Sequence, residues 1–259
     1  MRVQVLPIPG LPLIESGDDL AGLIIDATSR AGISLEPADL VVITGKVVSK
    51  SEGRWVNLND VHPSERAERL AAATEKDPRL VELVLSESSA VVRARPGNLL
   101  VRHRRGYVSA VAGIDRSNVS ADDDIALLLP VDPDASAAAL RASLRARSGV
   151  TLGVVISDSH GRPFRIGNTG VAIGSAGLTA VRHLEGTKDL FGRALTSASI
   201  VPIADLVASA SMLVCGEAGE GIPVVIVRGM PLDDDGSTGL DLVRPAERDM
   251  FATPDRDYS

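Results

Sequence analysis

The chain has 259 residues, of which 44% are hydrophobic and 24% charged. That is enough apolar material for the core of one large domain or two small ones, and it rules out a wholly disordered chain. One Trp, two Tyr, three Phe and a net charge of −7 argue against single-stranded nucleic acid, which needs stacking rings, and against any polyanion as the main partner.

In chain order, residues 2–8 alternate as a strand and run into a Pro/Gly loop over 9–14. Asp18 and Asp19 cap a predicted helix that ends near Arg30, with Gly32 as its stop. Residues 39–44 form a β-branched buried strand that empties into the polar, basic stretch GKVVSKSEGR. Pro63–Asp77 and Pro78–Glu87 read as two helices with proline in the first turn. β-type segments follow at 89–95, 98–103 and 107–114, then a short apolar run at 125–129 and a helix over 135–148 closed by Gly149. VTLGVVISD is a strand of the continuous apolar kind, covered on both faces, and it discharges into the loop SHGRPFRIGNTG. Residues 171–201 mix glycines with β-branched residues and give no clear period. Residues 203–215 have helical spacing, GEAGEG is a loop, and PVVIVRG is again a buried strand.

Strands and helices alternate without sustained βαβ order, so the fold class is α+β, with mixed or antiparallel sheets, rather than a doubly wound sheet. A subdomain boundary is expected within 60–120. Residues 230–259 hold eight acids and three arginines, so the tail from 233 to 259 is expected to be acidic and in part mobile. Cys215 is the one cysteine, which excludes an intrachain disulfide and a cysteine-built zinc site. No run approaches a membrane span, and prolines at 7, 9 and 12 interrupt any signal-peptide core, so a soluble cytoplasmic protein is expected.

Familiar nucleotide motifs are missing. Leu40 stands where a P-loop ahead of Gly45-Lys46 would need glycine, and GEAGEG has the wrong glycine order for a dinucleotide fingerprint. Three acids stand out instead at the ends of apolar segments: Asp115, Asp158 and Glu217. Such positions adjoin ligand-binding loops, and oxygen-only donors suit Mg²⁺ or Mn²⁺. On spacing alone each acid reads first as a turn or cap residue. Lys46, Lys50 and Arg54 can meet phosphate, or can simply be a solvated basic loop. Arg162 and Arg165 suit an anionic substrate, or a plain surface turn. Cys215 reads as packing.

Taken together, GLPLI (10–14), ITGKVVSKSEGR (43–54), AGIDRSN (112–118), ISDSHGRPFRIGNTGVAIG (156–174) and GEAGEGIPVVIVRG (216–229) resemble the coenzyme F420-0:L-glutamate ligase family over residues 1–232. The resemblance implies a GTP-dependent ligase that adds L-glutamate to coenzyme F420-0, with GDP and phosphate as products. It also implies an intertwined homodimer of α+β fold, and Mg²⁺ or Mn²⁺ at the nucleotide, with K⁺ as a candidate monovalent ion. By position, the GTP contacts fall on Leu11, Pro12, Leu13, Ile14, Gly45, Lys50 and Asn118. They continue on the loop Cys215, Gly216, Glu217, Ala218, Gly219, Glu220, Gly221 and Ile222. The metal ligands fall on Asp115, Asp158, Ser159 and Glu217, and the expected catalytic residues are Asp115, Asp158 and Lys50. Some relatives carry Ser where this chain has Gly45.

On that resemblance the F420-0 carboxylate takes the γ-phosphoryl group, and the amine of glutamate attacks the acyl phosphate. Two rivals differ in class: an amide ligase or phosphotransferase acting on another acidic acceptor, and a catalytically silent nucleotide-binding protein.

Overall fold

The computed structural model describes residues 2–196 and 199–249. In chain order the elements are β1 (Gln4–Ile8), α1 (Leu20–Arg30), β2 (Leu40–Thr44), α2 (Gly45–Ser51), β3 (Trp55–Asn57), α3 (Glu65–Thr74), α4 (Pro78–Ser86), β4 (Ser88–Arg95), β5 (Asn98–His103) and β6 (Val108–Ala110). There follow β7 (Ile125–Leu127), α5 (Pro133–Ser148), β8 (Gly153–Gly161), β9 (Asn168–Ala176), β10 (Arg182–His183), β11 (Ile200–Val201), α6 (Ile203–Cys215) and β12 (Val224–Arg228).

The central sheet has the order β1-β12-β2-β8-β9. Only β2 and β8 run parallel; the other neighbours are antiparallel. Strand alternation sends Val41, Ile43, Val154 and Ile156 to one face, where Ile24 of α1 and Leu144 of α5 cover them. Leu40, Val42, Val155 and Val225 point the other way, under Val207 and Ala208 of α6. Both faces are therefore dry, which is why these strands read as unbroken apolar runs. Each fully buried aliphatic side chain contributes about 1.5–3 kcal/mol.

Asp19 and Gly149 act at the helix ends as expected, and Asp132 adds a cap to α5, which opens at Pro133 rather than at 135. The Asp19 carboxylate accepts from Gly22 N at 3.2 Å, Asp132 accepts from Ala135 N at 3.1 Å, and Gly149 closes α5 at φ +72°. A second apolar cluster runs from Leu58 to Leu128. It is built from α3, α4, the strands β4 and β5 and the pair β3-β7.

β9 is an edge strand, and acidic side chains occupy its free donors. Ala172 N donates to Asp205 at 2.8 Å and Ser175 N to Asp134 at 2.9 Å. Such capping removes the template that an open edge presents to other chains. Glycines let the helices close on this strand: a Cβ on Gly170 would drive into the Ala208 carbonyl, and one on Gly174 into Pro133. The indistinct period of 171–201 follows in part from this, since glycine occupies close-approach positions where a strand pattern would show apolar residues.

Several expectations need correction. GKVVSKSEGR is no solvated loop; its first seven residues form α2, four of whose six side-chain-bearing residues are buried. Asp158 does not end its strand, because β8 continues to Gly161 and pairs with β9 in a long hairpin. The strand expected over 107–114 stops at Ala110 and gives way to a tight turn with Val111 and Ala112 at positive φ. Besides these corrections, Leu232 and Leu242 of the acidic tail lie against the α6-side core, and Asp233, Asp234 and Asp249 pair with Arg182, Arg141 and Arg102. Residues 250–259 of that tail lie outside the described residues.

Candidate functional site

β2 ends at Thr44 beside Ser157 of β8, and the chain turns at once into α2. Gly45 is buried there, and a Cβ would press on Ile173 Cδ1 at 3.1 Å. A serine at this position would require Ile173 to shift. One turn of helix separates Lys46 from Lys50, so both project toward the same neighbouring segment.

That segment is the turn 115–118. Lys46 Nζ lies 2.7 Å from the Asp115 carboxylate and donates to the Ser117 carbonyl at 2.7 Å. The other Asp115 oxygen accepts from Ser117 N at 2.7 Å and Ser117 Oγ at 2.8 Å, an Asx turn. Lys50 Nζ donates to the Asn118 carbonyl at 2.8 Å. Asn118 adopts φ +52°, a conformation asparagine tolerates better than most residues. Its side-chain amide reaches the Ala218 carbonyl at 2.8 Å.

The glycine loop continues the chain of contacts. Ala218 N donates to Glu220 Oε2 at 2.8 Å, and Glu217 Oε2 accepts from Asn168 Nδ2 at 3.0 Å. Asn168 pairs with Gly161 across the β8–β9 hairpin. Four stretches far apart in sequence thus meet: 45–50, 115–118, 216–220 and the hairpin carrying Asp158 and Ser159. Asp158 Oδ2 lies 3.0 Å from His160 Nε2, and the exposed Ser159 sits opposite Gly170.

The loop over 10–17 leans on the other end of α2. Gly17 N donates to the Ser51 carbonyl at 2.8 Å, and the Trp55 indole N–H donates to Ser16 Oγ at 3.1 Å. Within that loop Ile14 is buried, Leu11 half-buried, and Pro12 and Leu13 exposed.

Lys50 is only 7% exposed. Burial lowers its pKa below 10.5; neighbouring Lys46 lowers it further and Asp115 partly opposes the shift. Cys215 closes α6, half-buried, and burial pushes its thiol up, which fits packing rather than nucleophilic work. Ile222 packs on the α6-side core, whereas Glu217 to Gly221 are exposed. Arg162 donates to the Ile166 carbonyl at 3.1 Å and so closes the hairpin turn.

Among the described residues no group of three or more acids, histidines or cysteines gathers as a cation cage. Asp115, Asp158 and Glu217 each have their own side-chain partner. Donor chemistry still fits a hard cation, because Mg²⁺ is commonly held by one or two carboxylates together with phosphate oxygens and water. Two grooves of about 440 and 470 Å³ run along α5 and between α1 and α5; the residues above line neither.

His160, Asn168, Ser117 and Trp55 lie at the site without having been singled out. Asn168 and Trp55 carry no local signal, since each becomes a site neighbour only through pairing with distant strands.

The molecule is a mixed α+β protein whose strand ends and connecting loops assemble a cluster of lysines, carboxylates and a glycine turn. The chain belongs to the F420-0:gamma-glutamyl ligase family, whose profile matches residues 10–229. It is similar to the coenzyme F420:L-glutamate ligase of Methanothermobacter thermautotrophicus, with 44% identity over 97% of this chain and 99% of the relative. Relatives of the same name in Methanopyrus kandleri and Archaeoglobus fulgidus are 42% and 43% identical, over 96% and 97% of this chain and 97% of each relative. Among the described residues no helix is long and apolar enough to cross a membrane.

Proposed function

We propose that this protein is a ligase that joins L-glutamate to coenzyme F420-0, consuming GTP and releasing GDP and phosphate. The observation that carries this reading is the contact chain Lys46–Asp115, Lys50–Asn118–Ala218 and Glu217–Asn168. It joins the segments on which the family's nucleotide and metal positions fall. Family membership and the relatives' shared name support the substrate assignment.

Joining a carboxylate to an amine requires activation, because a carboxylate is a poor electrophile. The F420-0 carboxylate oxygen attacks the γ-phosphorus of GTP, the bond to the β-phosphate oxygen breaks, and GDP leaves. The glutamate amine, having lost a proton, then attacks the acyl carbon and phosphate departs. Lys50 uses one donor on the Asn118 carbonyl, which leaves two for phosphate oxygens. Asn118 and the 216–222 loop orient the nucleotide, as do Leu11 to Ile14 and Gly45. Asp115, Asp158, Ser159 and Glu217 would hold Mg²⁺ or Mn²⁺, and K⁺ is a further candidate ion. A bound divalent cation would offset the charge that builds on the phosphates. Arg165, exposed at the hairpin turn, is available for acidic groups of either substrate.

We further propose a homodimer acting in the cytoplasm. Phe164, Ile166, Leu190, Phe191 and Leu213 are each more than 80% exposed, and a second copy covers such surfaces. Light scattering at micromolar concentration checks the dimer.

The deciding experiment mixes purified protein with F420-0, L-glutamate, GTP and each metal, and reads products by mass spectrometry. A gain of one glutamate that vanishes without nucleotide is expected. GTP turnover that neither F420-0 nor glutamate stimulates would favour another acidic acceptor, and binding without turnover would favour a silent relative.

A further inference from the structure

Trp55 is the only tryptophan in the chain, and its place is unusual for a short strand residue. It opens β3, opposite Leu127 of β7, and is half-buried. Lys50 Nζ stands 5.5 Å from the centre of its ring, within the range where a ring face attracts a cation. The indole N–H reaches the other way, to Ser16 Oγ at 3.1 Å. The residue therefore touches both the buried lysine and the loop that follows Ile14.

We infer that Trp55 is a positioning residue for nucleotide binding, holding the Lys50 ammonium with its ring while its N–H fixes the 10–17 loop. This rests on the reading that Lys50 and that loop meet the nucleotide.

Lys50 is a long side chain with many rotamers and, among the described residues, one hydrogen-bond acceptor, the Asn118 carbonyl. A lysine so placed, buried and beside a second lysine, gains from a partner that adds attraction without using its N–H donors. A ring face is such a partner, whereas a carboxylate in the same place would compete with phosphate. The backbone supports the arrangement. Gly53 N donates to the Lys50 carbonyl and Arg54 N to that of Ser49, both at 3.0 Å, so the turn out of α2 brings Trp55 back alongside α2. The loop is pinned to the same turn through Gly17 N and the Ser51 carbonyl. Nucleotide that engages Lys50 thus also changes the surroundings of the indole.

The test uses the full chain with Mg²⁺ and a non-hydrolysable GTP analogue, following binding by calorimetry and by Trp55 fluorescence in parallel. A saturable fluorescence change is expected, with a midpoint equal to the calorimetric Kd. Trp55→Leu is expected to weaken analogue binding about fivefold and to raise KM for GTP more than it lowers kcat. Trp55→Phe keeps a ring and is expected to recover most of the loss. Wild-type affinity in a folded Trp55→Leu protein would overturn the inference while leaving the ligase reading intact. Should that variant not fold, a silent wild-type indole during calorimetrically demonstrated binding overturns it instead. Failure of the wild-type protein to bind the analogue at all would remove the nucleotide reading, and this inference with it.

Discussion

The side-chain amide of Asn118 donates to the backbone carbonyl of Ala218 at 2.8 Å, joining residues one hundred positions apart. The Asn118 carbonyl receives Lys50 from the other side, so one residue ties α2 to the glycine loop. Asn118→Ala keeps the second contact and loses the first. It is expected to weaken GTP binding about tenfold, the worth of one or two hydrogen bonds, while the exposed position limits the stability cost to about 1 kcal/mol. Calorimetry and thermal melting measure the two quantities separately.

The depressed pKa of Lys50 has a definite consequence for pH. Its folded value lies below the ordinary 10.5, so on raising the pH the folded state releases this proton before the unfolded chain does. Stability from this group rises across that window and is flat below it. Nucleotide affinity, which uses the charged ammonium, falls over the same window. Lys50→Met is expected to abolish the alkaline rise in stability and to reduce affinity at pH 7 by about tenfold or more. Denaturant titrations at stepped pH show the first effect.

Asp158→Asn preserves size and removes charge from the hairpin. Turnover is expected to fall about a thousandfold, the scale of several kcal/mol of lost electrostatic stabilisation, with the circular dichroism spectrum unchanged. Near-normal turnover at saturating Mg²⁺ or Mn²⁺ would remove Asp158 from the catalytic set.

Gly174→Ala places a methyl group against Pro133 at the start of α5, where backbone atoms cannot yield. A loss of about 1–3 kcal/mol is expected from overpacking, read as a lower urea midpoint. Gly161→Ala, whose Cβ would meet only the Asn168 side chain at 3.8 Å, is the control and is expected to cost less.

Asp39 is fully buried and accepts Arg228 Nε at 2.7 Å and Nη2 at 2.8 Å. Asp39→Ala removes two hydrogen bonds from the guanidinium, which keeps Glu36 and the Ser34 carbonyl as partners. The expected cost is about 1–3 kcal/mol, visible as a lower urea midpoint.

Helices with clear stops were legible from residues alone. Asp19, Gly149 and the proline that opens α4 mark ends by local chemistry, and the bounds of α6 follow from its spacing, whereas α5 starts at Pro133, two residues before the expected start. Segments whose state depends on distant partners were not. α2 looks polar in sequence because its two lysines face the 115–118 turn, a contact invisible until the chain folds. The continuation of β8 past Asp158 is hidden for a related reason: His160 and Gly161 are held by pairing with β9, not by β propensity. At the site, Asp115, Lys50 and Glu217 were recognisable as types in suggestive places. Lys46 and Asn118 were named as well, but the pairings Lys46–Asp115, Lys50–Asn118 and Asn168–Glu217 were not legible, because hydrogen-bond geometry has no sequence period.

β12 lies between β1 and β2 in the central sheet, so the last strand among the described residues separates the first two. During translation, β1 and the adjoining edge of β2 have no native neighbour until residue 228 has left the ribosome. The nascent amino-terminal half therefore emerges with apolar strands unpaired, exposed to chaperones and to other nascent chains. Native closure of this sheet is a late event governed by long-range contacts.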